Sequence, residues 1–552
     1  MSDPASKALS GLAPETLALA LSRLKGLESD ILAPEKIEAF DREGLFPEDL
    51  IRALAAPPVA LPLLFLPEDF GGLGGGVRDL CALGREMGGI CLGVASAFFS
   101  LMLGLSPVLA FGTPGQRARF LPPVAEGRAL WAFAATEPGA GSNPAAIQTL
   151  AEEVPGGFRL SGRKRFISTG ASADFVSVLA NGPGGPAFFV VEKGAQGFSA
   201  GPPDDKHGLR ACQTAPLFFD GVFVPTENLV GGEPGKGLVQ GLALFSRARL
   251  AVAAMALGAA EKALSLAIAR AGDASRPGGP LSEKQGFTHT LVLPHLAALA
   301  AAGAFIDQTA LKFDAAGPEP PELAAETAVA KLLAADAAHR AVSDALFALG
   351  GEGYARRGGV EKIKRDVAAA SIYEGTSEIQ KAIAGTLRWK AAVRSRGRFH
   401  REIADELDML ALGSPDVGAL MLALAASAAG ACFTLAHRER LVRSQAVLFT
   451  LAEMTAHAEA GAALAHAAAD SRVENRPEAG RLEVLSRVFA RRSASVAARG
   501  AARVALGSGR PDPETARDFL KSIHFSELCE AESGCFTDLD ILARLVFAKE
   551  EA

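Results

Sequence analysis

The sequence predicts a mainly α-helical protein with one β domain in its first half, and three observations support this. Apolar residues recur at helical spacing before residue 129 and again after residue 232. Between these limits the apolar runs are short and are bounded by Gly, Pro and Asp, which is typical of strands. Of the 552 residues, 49% are hydrophobic and 21% are charged, which supports several globular cores. The predicted layout is helical, β, helical, helical.

The first segment, residues 1–128, is predicted to be a helical domain. Leu17–Leu27 places leucines on one helix face, Pro47–Leu54 is a short helix, and Leu80–Leu105 is a long apolar one. The glycine-rich stretch Leu66–Gly75 is predicted to be a loop between helices.

The second segment, residues 129–232, is predicted to be a small antiparallel β domain, either a barrel or a sandwich. Its short apolar or alternating runs are Ala129–Thr136, Phe158–Ser161, Asp174–Ala180, Ala187–Glu192 and Leu217–Val224. Short, evenly spaced strands with turn residues between them favour these two architectures.

The second half of the chain is predicted to hold two more helical domains, residues 233–390 and 391–552, with a break near Arg394–Arg398. Two uncharged stretches, Met87–Gln116 and Val417–His437, reach the length of a membrane span. We interpret both as buried helices, because glycine and proline interrupt the first and alanine dominates the second.

Charge and cysteine usage narrow the functional class. The formal net charge is −6, whereas nucleic-acid-binding proteins usually carry a strong basic patch. The six cysteines are scattered without a CxxC pair, which predicts reduced thiols and no metal site. The N-terminus lacks the basic and apolar regions of a signal peptide. We expect a cytoplasmic bacterial protein, with peripheral contact at the inner membrane face as an alternative.

The segment Ser371–Gln380 is the most informative for chemistry. Ser377 and Gln380 fit a capping box that starts a helix. Glu374 would then lie on a tight turn just before that helix, where Gly375 lets another molecule approach the backbone. Two interpretations of Glu374 are open: a catalytic base, or an acidic residue favoured by the helix dipole.

Two further segments have the composition of ligand-binding turns. Thr136–Ser142 follows a predicted strand, and its glycines expose backbone N–H groups that suit a phosphate or the polar edge of a ring. An ordinary turn has the same composition. In Gly162–Gly170, Phe166 is placed to stack on a ring and Ser168 to form a hydrogen bond.

Together these three segments resemble the acyl-CoA dehydrogenase family. Other segments resemble the family in the same order along the chain: Pro67–Gly74, Phe111–Arg117, Phe223–Val230, and Gly350–Tyr354 through Asp366. The resemblance covers roughly residues 30–390.

The resemblance implies an FAD flavoprotein that oxidises an acyl-CoA thioester to the trans-2-enoyl-CoA. The implied fold is an N-terminal helical bundle, a middle β-barrel and a C-terminal four-helix bundle, followed here by an extra helical domain. Electrons would pass to an electron-transfer flavoprotein. The implied assembly is a homo-oligomer, with a dimer expected, and no nucleic-acid partner.

The resemblance also implies roles for individual residues. Glu374 matches the base that removes the α-proton, and its backbone N–H would polarise the thioester oxygen, a contribution of about 3 kcal/mol per donor. The implied FAD-binding residues are Phe133, Ala135, Thr136, Gly141, Ser142, Phe166, Ser168, Arg276, Gly350, Gly351, Thr376 and Glu378. The implied substrate-binding residues are Ser142, Arg249, Tyr373 and Gly375.

The sequence departs from the family pattern at several of these positions. Phe166 stands where Trp is usual, and Ser168 where Thr is usual. On the adenosine side of the flavin, a two-residue deletion would align Arg276 with the family's arginine, whereas an ungapped alignment puts Ala274 there. The family's glutamine ahead of the Gly-Gly pair falls at Phe347.

The substrate side departs as well. Some branches place the base one position before the arginine that matches Arg249, but Ala248 stands there and leaves Glu374 as the candidate. Ser246 replaces a usual aspartate, which predicts altered CoA recognition. The helix Ala95–Gly104 maps to the acyl pocket, and its Phe98 and Phe99 either block a long chain or point away.

The tail, residues 391–552, resembles that of the very-long-chain type, whose extra helical domain covers the dimer and helps hold it on a membrane. Arg438–Arg443 and Arg487–Arg492 either face anionic lipid or form a solvated helix face. Two other functions stay open: a flavin oxidase of the same fold, or a DNA-associated flavoprotein relative, against which the balanced charge of the tail counts.

Overall fold

A computed structural model describes residues 11–273, 279–317 and 319–547. The chain divides into two compact units. The first comprises Met1–Ala259, Ala310–Leu323 and Arg365–Glu374, and the second comprises Ala260–Thr309, Ala324–Lys364 and Gly375–Ala552.

Helices precede the β domain, as the apolar spacing predicts. They are α1 (Pro14–Gly26), α2 (Pro34–Glu43), α3 (Glu48–Ala55), α4 (Val77–Phe111) and α5 (Pro114–Ala125). Helix α5 begins at a capping box in which the Gln116 N–H donates to Thr113 Oγ1 at 3.2 Å and the Thr113 N–H donates to Gln116 Oε1 at 2.9 Å. The predicted loop Leu66–Gly75 contains one short 3₁₀ turn, Glu68–Phe70.

The middle region is a half-barrel of seven strands. These are β1 (Trp131–Ala134), β2 (Leu150–Val154), β3 (Gly157–Ser168), β4 (Phe175–Gly182), β5 (Gly185–Glu192), β6 (Phe198–Ala200) and β7 (Thr214–Pro225). The strand order is β1-β4-β2-β3-β7-β6, and β5 pairs with β4. The core contains buried Val176, Val178, Phe189, Leu217 and Val222.

The prediction of an antiparallel domain was wrong in one respect, because the sheet is mixed. Strand β1 pairs with β4 in parallel, from Trp131 opposite Phe175 to Ala134 opposite Val178. A parallel pair needs a long connection, and here β2 and β3 lie within that connection. Strands β2 and β6 were not predicted, since β2 carries two glutamates and β6 has three residues.

Helices make up the described remainder of the chain. They are α6 (Gly237–Ala271), α7 (Gln285–Phe287), α8 (Leu293–Ala316), α9 (Ala324–Leu349), α10 (Gly351–Tyr354), α11 (Val360–Ala368), α12 (Ser377–Arg394), α13 (Arg398–Gly413), α14 (Ala419–Arg438), α15 (Gln445–Val473), α16 (Ala479–Ala505), α17 (Pro513–Ser522), α18 (Phe525–Glu530) and α19 (Cys535–Phe547). The predicted break near Arg394–Arg398 coincides with the end of α12 and the start of α13.

Helices α4 and α6 lie in backbone contact within the first unit. A Cβ at Gly88 would clash with the Met255 carbonyl, and one at Gly258 would clash with the Arg85 carbonyl. Helix α4 is interrupted at Cys91, whose φ and ψ are −161° and 109°. Glycine at these crossings therefore brings the helix that carries Arg249 against the predicted acyl-pocket helix.

Four helices are long and apolar enough to cross a membrane by length and composition alone. They are Val77–Phe111, Gly237–Ala271, Gln285–Ala316 and Ala419–Arg438, and between 61% and 72% of their most apolar 18-residue windows is buried inside the protein. The two uncharged stretches noted in the sequence lie largely within the first and the last of these helices.

The arginine-rich segment Arg487–Arg492 contradicts both interpretations offered for it. Arg487 Nε lies 2.9 Å from Asp538 Oδ1, and Arg491 Nη2 lies 2.7 Å from Asp538 Oδ2. Asp538 is buried. These arginines join α16 to α19 rather than facing solvent or lipid. In the other segment, exposed Arg438 pairs with Glu439 at 2.9 Å.

Candidate active site

Glu374 lies on the predicted tight turn, between a 3₁₀ turn that ends at Ser371 and the start of α12. Its φ is +54°, and that of Gly375 is +86°. A left-handed conformation costs a residue with a side chain about 1–2 kcal/mol. One carboxylate oxygen of Glu374, Oε2, is buried. A strained backbone that carries a buried carboxylate is common at functional sites.

The predicted capping box was wrong by one residue. The N-cap is Thr376, whose hydroxyl accepts a hydrogen bond from the Ile379 N–H at 3.3 Å, and Ser377 is the first helical residue. The Gln380 amide reaches Gly375 instead of closing the box. Thr and Ser both serve as N-caps, so composition alone does not choose between adjacent hydroxyl residues.

The carbonyl of Gly375 is held by two buried side chains. The Gln380 Nε2 donates to it at 2.9 Å, and the Lys331 ammonium donates to it as well. Both side chains are at most 1% exposed. The residue that follows Glu374 in the chain is thus fixed by a buried charge-assisted hydrogen bond. Sequence reasoning missed Lys331, although a single lysine in an apolar helical run is a signal.

Arg249 lies on α6, and its positive charge interacts with the negative charge of Glu374. The residue is 6% exposed. Burial lowers the pKa of the Arg249 guanidinium, while the charge of Glu374 raises it. Because the interaction is mutual, the guanidinium favours the ionised carboxylate. The resemblance assigns Arg249 to the CoA arm, and in the structure its charge also interacts with that of Glu374.

Tyr373 closes another side of the same site. Its hydroxyl is buried, and that burial raises the pKa of the phenol. Ser96 on α4 is the side chain that acts most strongly on this hydroxyl, followed by Cys212. Burial likewise raises the pKa of the Cys212 thiol, which lies near Ser168 and Ser100. Both groups are uncharged at neutral pH, and the charges that act on them come from Glu374, Asp366 and Lys206.

The turn Thr136–Ser142 is held from behind by a buried ion pair. Lys164 Nζ lies 2.8 Å from Glu137 Oε1 and donates to the Ala135 carbonyl at 3.1 Å. Glu137 also accepts from the Thr149 N–H at 2.9 Å. Burial lowers the pKa of Lys164 to about 8, against the opposing effect of Glu137. Sequence reasoning missed this pair.

The front of that turn is open. Ser142 is exposed, and a Cβ at Gly139 or Gly141 would meet nothing within 4 Å. The backbone N–H groups of such a turn suit polar ligand atoms. Phe133 lies further back, with its ring centroid 5.4 Å from that of Phe188.

Phe166 projects from a bulge in β3. The register of β3 against β7 shifts between Lys164 and Ile167, and Phe166 has a φ of +58°. The Phe166 ring is 59% exposed, with the Arg165 guanidinium 4.5 Å from its centroid. The Arg165 N–H donates to the Thr136 carbonyl at 2.9 Å, which ties the bulge to the turn. A bulge re-aims a side chain, and here it presents an aromatic face.

The remaining predicted flavin residues lie in the second unit or outside the described part of the chain. Thr376 and exposed Glu378 begin α12. Gly350 has a φ of +63° and precedes α10, which starts at Gly351. Phe347, in place of the family's glutamine, is 66% exposed. Arg276, with its alternative Ala274, lies outside the described residues.

Three family models match the chain in order. The acyl-CoA dehydrogenase N-terminal domain matches residues 28–128, the middle domain matches 132–222, and the C-terminal domain matches 235–386. The chain belongs to the acyl-CoA dehydrogenase family. This family uses FAD, the cofactor that the sequence predicts.

Two curated relatives illustrate the range of this family. The chain is 34% identical over 353 residues to an acryloyl-CoA reductase (NADH) of Anaerotignum propionicum, covering 63% of this chain and 88% of the relative. It is also 34% identical over 364 residues to a short-chain-specific acyl-CoA dehydrogenase of Megasphaera elsdenii, covering 64% and 93%.

One solved structure extends the likeness of fold beyond the matched domains. An acyl-CoA dehydrogenase of Bacillus anthracis, complexed with FAD, aligns with a TM-score of 0.84 at 20% identity. The alignment covers 97% of this acyl-CoA dehydrogenase chain and 95% of the other. The fold is thus shared into the C-terminal helical region, which the three family models do not reach.

Proposed function

We propose that this acyl-CoA dehydrogenase family member oxidises a short acyl-CoA to its trans-2-enoyl-CoA, with Glu374 as the base. The position of Glu374 carries the proposal: its carboxylate lies on a strained turn, partly buried, within the field of the buried Arg249. A carboxylate kept ionised in a water-poor site can remove a weakly acidic α-proton.

The residues of the first unit fit an FAD cofactor. Gly141 leaves the front of its turn open, and Phe166 offers an exposed ring on a bulge tied to Thr136. FAD, when bound, supplies the acceptor for the hydride that leaves the β-carbon. The buried pair of Glu137 and Lys164 holds the turn rigid, which positions the exposed backbone for binding.

The tyrosine and arginine beside Glu374 would shape the reacting end. Tyr373 and Ser96 exclude water from one side of the carboxylate, and their hydroxyls stay protonated. The positive charge of Arg249 favours the ionised form of Glu374, which is the form that accepts the α-proton. Lys331 and Gln380 fix the Gly375 carbonyl, and so limit rotation of the turn.

The preference for short acyl groups follows from α4. Phe99 is 7% exposed and its ring tip lies at 3.4 Å from the Cβ position of Gly84, beside Met255 on α6. Phe98 is fully buried, with its ring centroid 5.5 Å from that of Phe99. Both rings are thus packed inside the protein on the helix that the resemblance assigns to the acyl pocket. The short-chain specificity of the Megasphaera elsdenii relative supports this choice.

The test is anaerobic reduction of the FAD-loaded enzyme by acyl-CoA substrates of increasing length. We expect butyryl-CoA to bleach the flavin fast and palmitoyl-CoA to do so at least about ten-fold more slowly. Phe99→Ala removes the whole ring and should narrow the difference in rate between the two substrates. Equal rates for both substrates in the unmodified enzyme would refute the short-chain assignment, and no bleaching by any acyl-CoA would refute the reaction.

A second candidate is the reverse reaction, because the Anaerotignum propionicum relative is an acryloyl-CoA reductase (NADH). The same groups serve in reverse, with Glu374 donating the proton to the α-carbon. We propose an electron-transfer flavoprotein as the redox partner in either direction and a homodimer as the assembly. Preferred oxidation of reduced enzyme by an enoyl-CoA, with slow reduction by acyl-CoA, would favour the reductase.

A further inference from the structure

The second unit contains a cavity whose lining includes none of the residues described around Glu374. Its volume is about 500 Å³, within the range of small-molecule sites. Helices α8, α9, α16 and α19 supply its lining. Pro294, Val488 and Leu539 form apolar wall, while the arginines Arg340, Arg491, Arg492 and Arg499 supply most of the charge.

One face of α16 delivers much of the polar lining. Arg492, Ser495 and Arg499 follow one another at spacings of three and four residues, which places their side chains on one side of the helix. Arg340 comes from α9, more than 150 positions earlier in the chain. The guanidinium groups therefore converge from two helices that are separate in sequence.

Among these arginines, Arg492 has surroundings that disfavour its positive charge. Burial lowers the pKa of its guanidinium, Arg340 and Arg499 lower it further, and Asp336 opposes them. Among the described residues, neither Arg492 nor Arg499 has a carboxylate within ion-pair distance. Arg340 and Arg499 are exposed to solvent and Arg492 is half-buried, so an anion bound in the cavity would give Arg492 the partner that it lacks.

Two carboxylates pair with residues that line the cavity. Asp344 Oδ2 lies 2.6 Å from His295 Nε2, and Asp336 lies 3.0 Å from Arg340. Arg491 is already bound to Asp538, so it is not among the convergent charges. Glu532 lines the cavity near Cys535 and contributes one negative charge. The carboxylates thus pair with Arg340 and Arg491, and among the described residues Arg492 and Arg499 are left without an ion-pair partner.

The same three arginines also affect the buried His457. Burial lowers the pKa of His457 to about 3, and Arg492, Arg340 and Arg499 all act in that direction. His457 stacks on Phe489, with ring centroids 5.4 Å apart, and Phe489 lines the cavity. His457 is therefore neutral at neutral pH.

We propose that this cavity binds the phosphate group of a small organic molecule, with Arg492 and Arg499 as its ligands. Guanidinium groups match phosphate oxygens with paired hydrogen bonds, and a phosphate carries enough charge for several of them. Ser495 adds a hydroxyl on the same helix face. The apolar wall formed by Pro294, Val488 and Leu539 suits the organic part of the ligand.

The test is calorimetric titration of inorganic pyrophosphate into the FAD-loaded enzyme with CoA present at saturation. The unmodified enzyme should bind pyrophosphate, and Arg492→Gln and Arg499→Gln should each weaken binding about ten-fold or more. Arg481→Gln removes an exposed arginine from the same helix outside the cavity and should bind like the unmodified enzyme. Succinate, at matched ionic strength, should bind at least about ten-fold more weakly.

Thermal unfolding separates this role from a purely structural one. Without pyrophosphate, Arg492→Gln should unfold at the same or a higher temperature, because it removes like-charge repulsion. With pyrophosphate, the unmodified enzyme should gain stability that both cavity variants lack. Equal pyrophosphate affinity in all four proteins, no binding by the unmodified enzyme, or equal binding of succinate would each overturn the proposal. If Arg492→Gln fails to fold, Arg499→Gln decides.

Discussion

Two regions of the molecule each bury an arginine, and they differ in what faces it. Arg249 faces the carboxylate of Glu374, which offsets part of the cost of burial. Arg492 faces Arg340 and Arg499, which add to that cost. In the first arrangement a carboxylate faces the arginine, whereas in the second Arg492 has no ion-pair partner among the described residues unless an anion enters.

A third buried arginine shows what complete pairing looks like. Arg388 lies 2.6 Å from Glu459 and 3.0 Å from Glu326. Although burial alone would lower it, these two carboxylates raise the pKa of Arg388. Arg388 therefore has a structural role within the second unit. The three cases show that burial alone says little about function, and that the charge facing the group decides.

Replacing the base should give the largest effect. Glu374→Gln keeps the shape of the side chain but cannot accept the α-proton, so acyl-CoA-dependent reduction of ferrocenium should fall about 10³-fold or more. The variant should still bind substrate, and this binding can be monitored by the spectral change of the oxidised flavin. The matched control Glu153→Gln alters an exposed carboxylate on β2 and should be normal. Activity within ten-fold of normal in Glu374→Gln would point to another base.

Removing the charge that faces the base should shift its titration. Arg249→Gln disfavours the ionised carboxylate, so the pKa of the base rises and the acidic limb of the pH–rate profile moves to higher pH by about one unit or more. Arg249→Lys keeps the charge and should shift the limb less. An unchanged acidic limb in Arg249→Gln would contradict an effect of Arg249 on the pKa of the base.

Loosening the turn should have a moderate effect. Lys331→Met removes the buried ammonium that holds the Gly375 carbonyl, and we expect kcat to fall about ten-fold with little change in KM. FAD content should stay normal. Lys390→Met, which alters an exposed lysine of α12, is the control. A rise in KM at constant kcat would contradict a positioning role for Lys331.

The smallest effect concerns acid stability in the second unit. The pKa of His457 is about 3 in the folded chain and 6.5 in the unfolded one. The unfolded chain therefore takes up a proton first, and folded stability falls as the pH drops below 6.5. In His457→Gln, the apparent unfolding temperature should depend less on pH across that range. His207→Gln, at an exposed site, should keep the normal dependence.

Local motifs made the family predictable from the sequence. Glu374, Gly375 and the glycine turn before Ser142 lie within short segments, and short segments keep their backbone preferences in the fold. The helix and strand positions followed from apolar spacing for the same reason. The cap fell one residue early because Thr376 and Ser377 are equally good N-caps.

Contacts between distant segments were not predictable. Lys331 meets Gly375 from another helix, and Lys164 meets Glu137 across the sheet. Alternation of apolar residues does not tell parallel from antiparallel pairing, so the β1–β4 pair was missed. The sequence does not distinguish Arg492 from a solvent-exposed arginine, because Arg340 comes close to it only in the folded chain.

The most direct test of Glu374 as the base is the exchange of substrate α-protons with solvent. Acetyl-CoA carries α-protons and no β-carbon, so proton removal is separated from hydride loss. The FAD-loaded enzyme in deuterium oxide should exchange these protons, as followed by proton NMR under anaerobic conditions, and Glu374→Gln should not. Exchange in Glu374→Gln at the rate of the unmodified enzyme would contradict the assignment of Glu374 as the base.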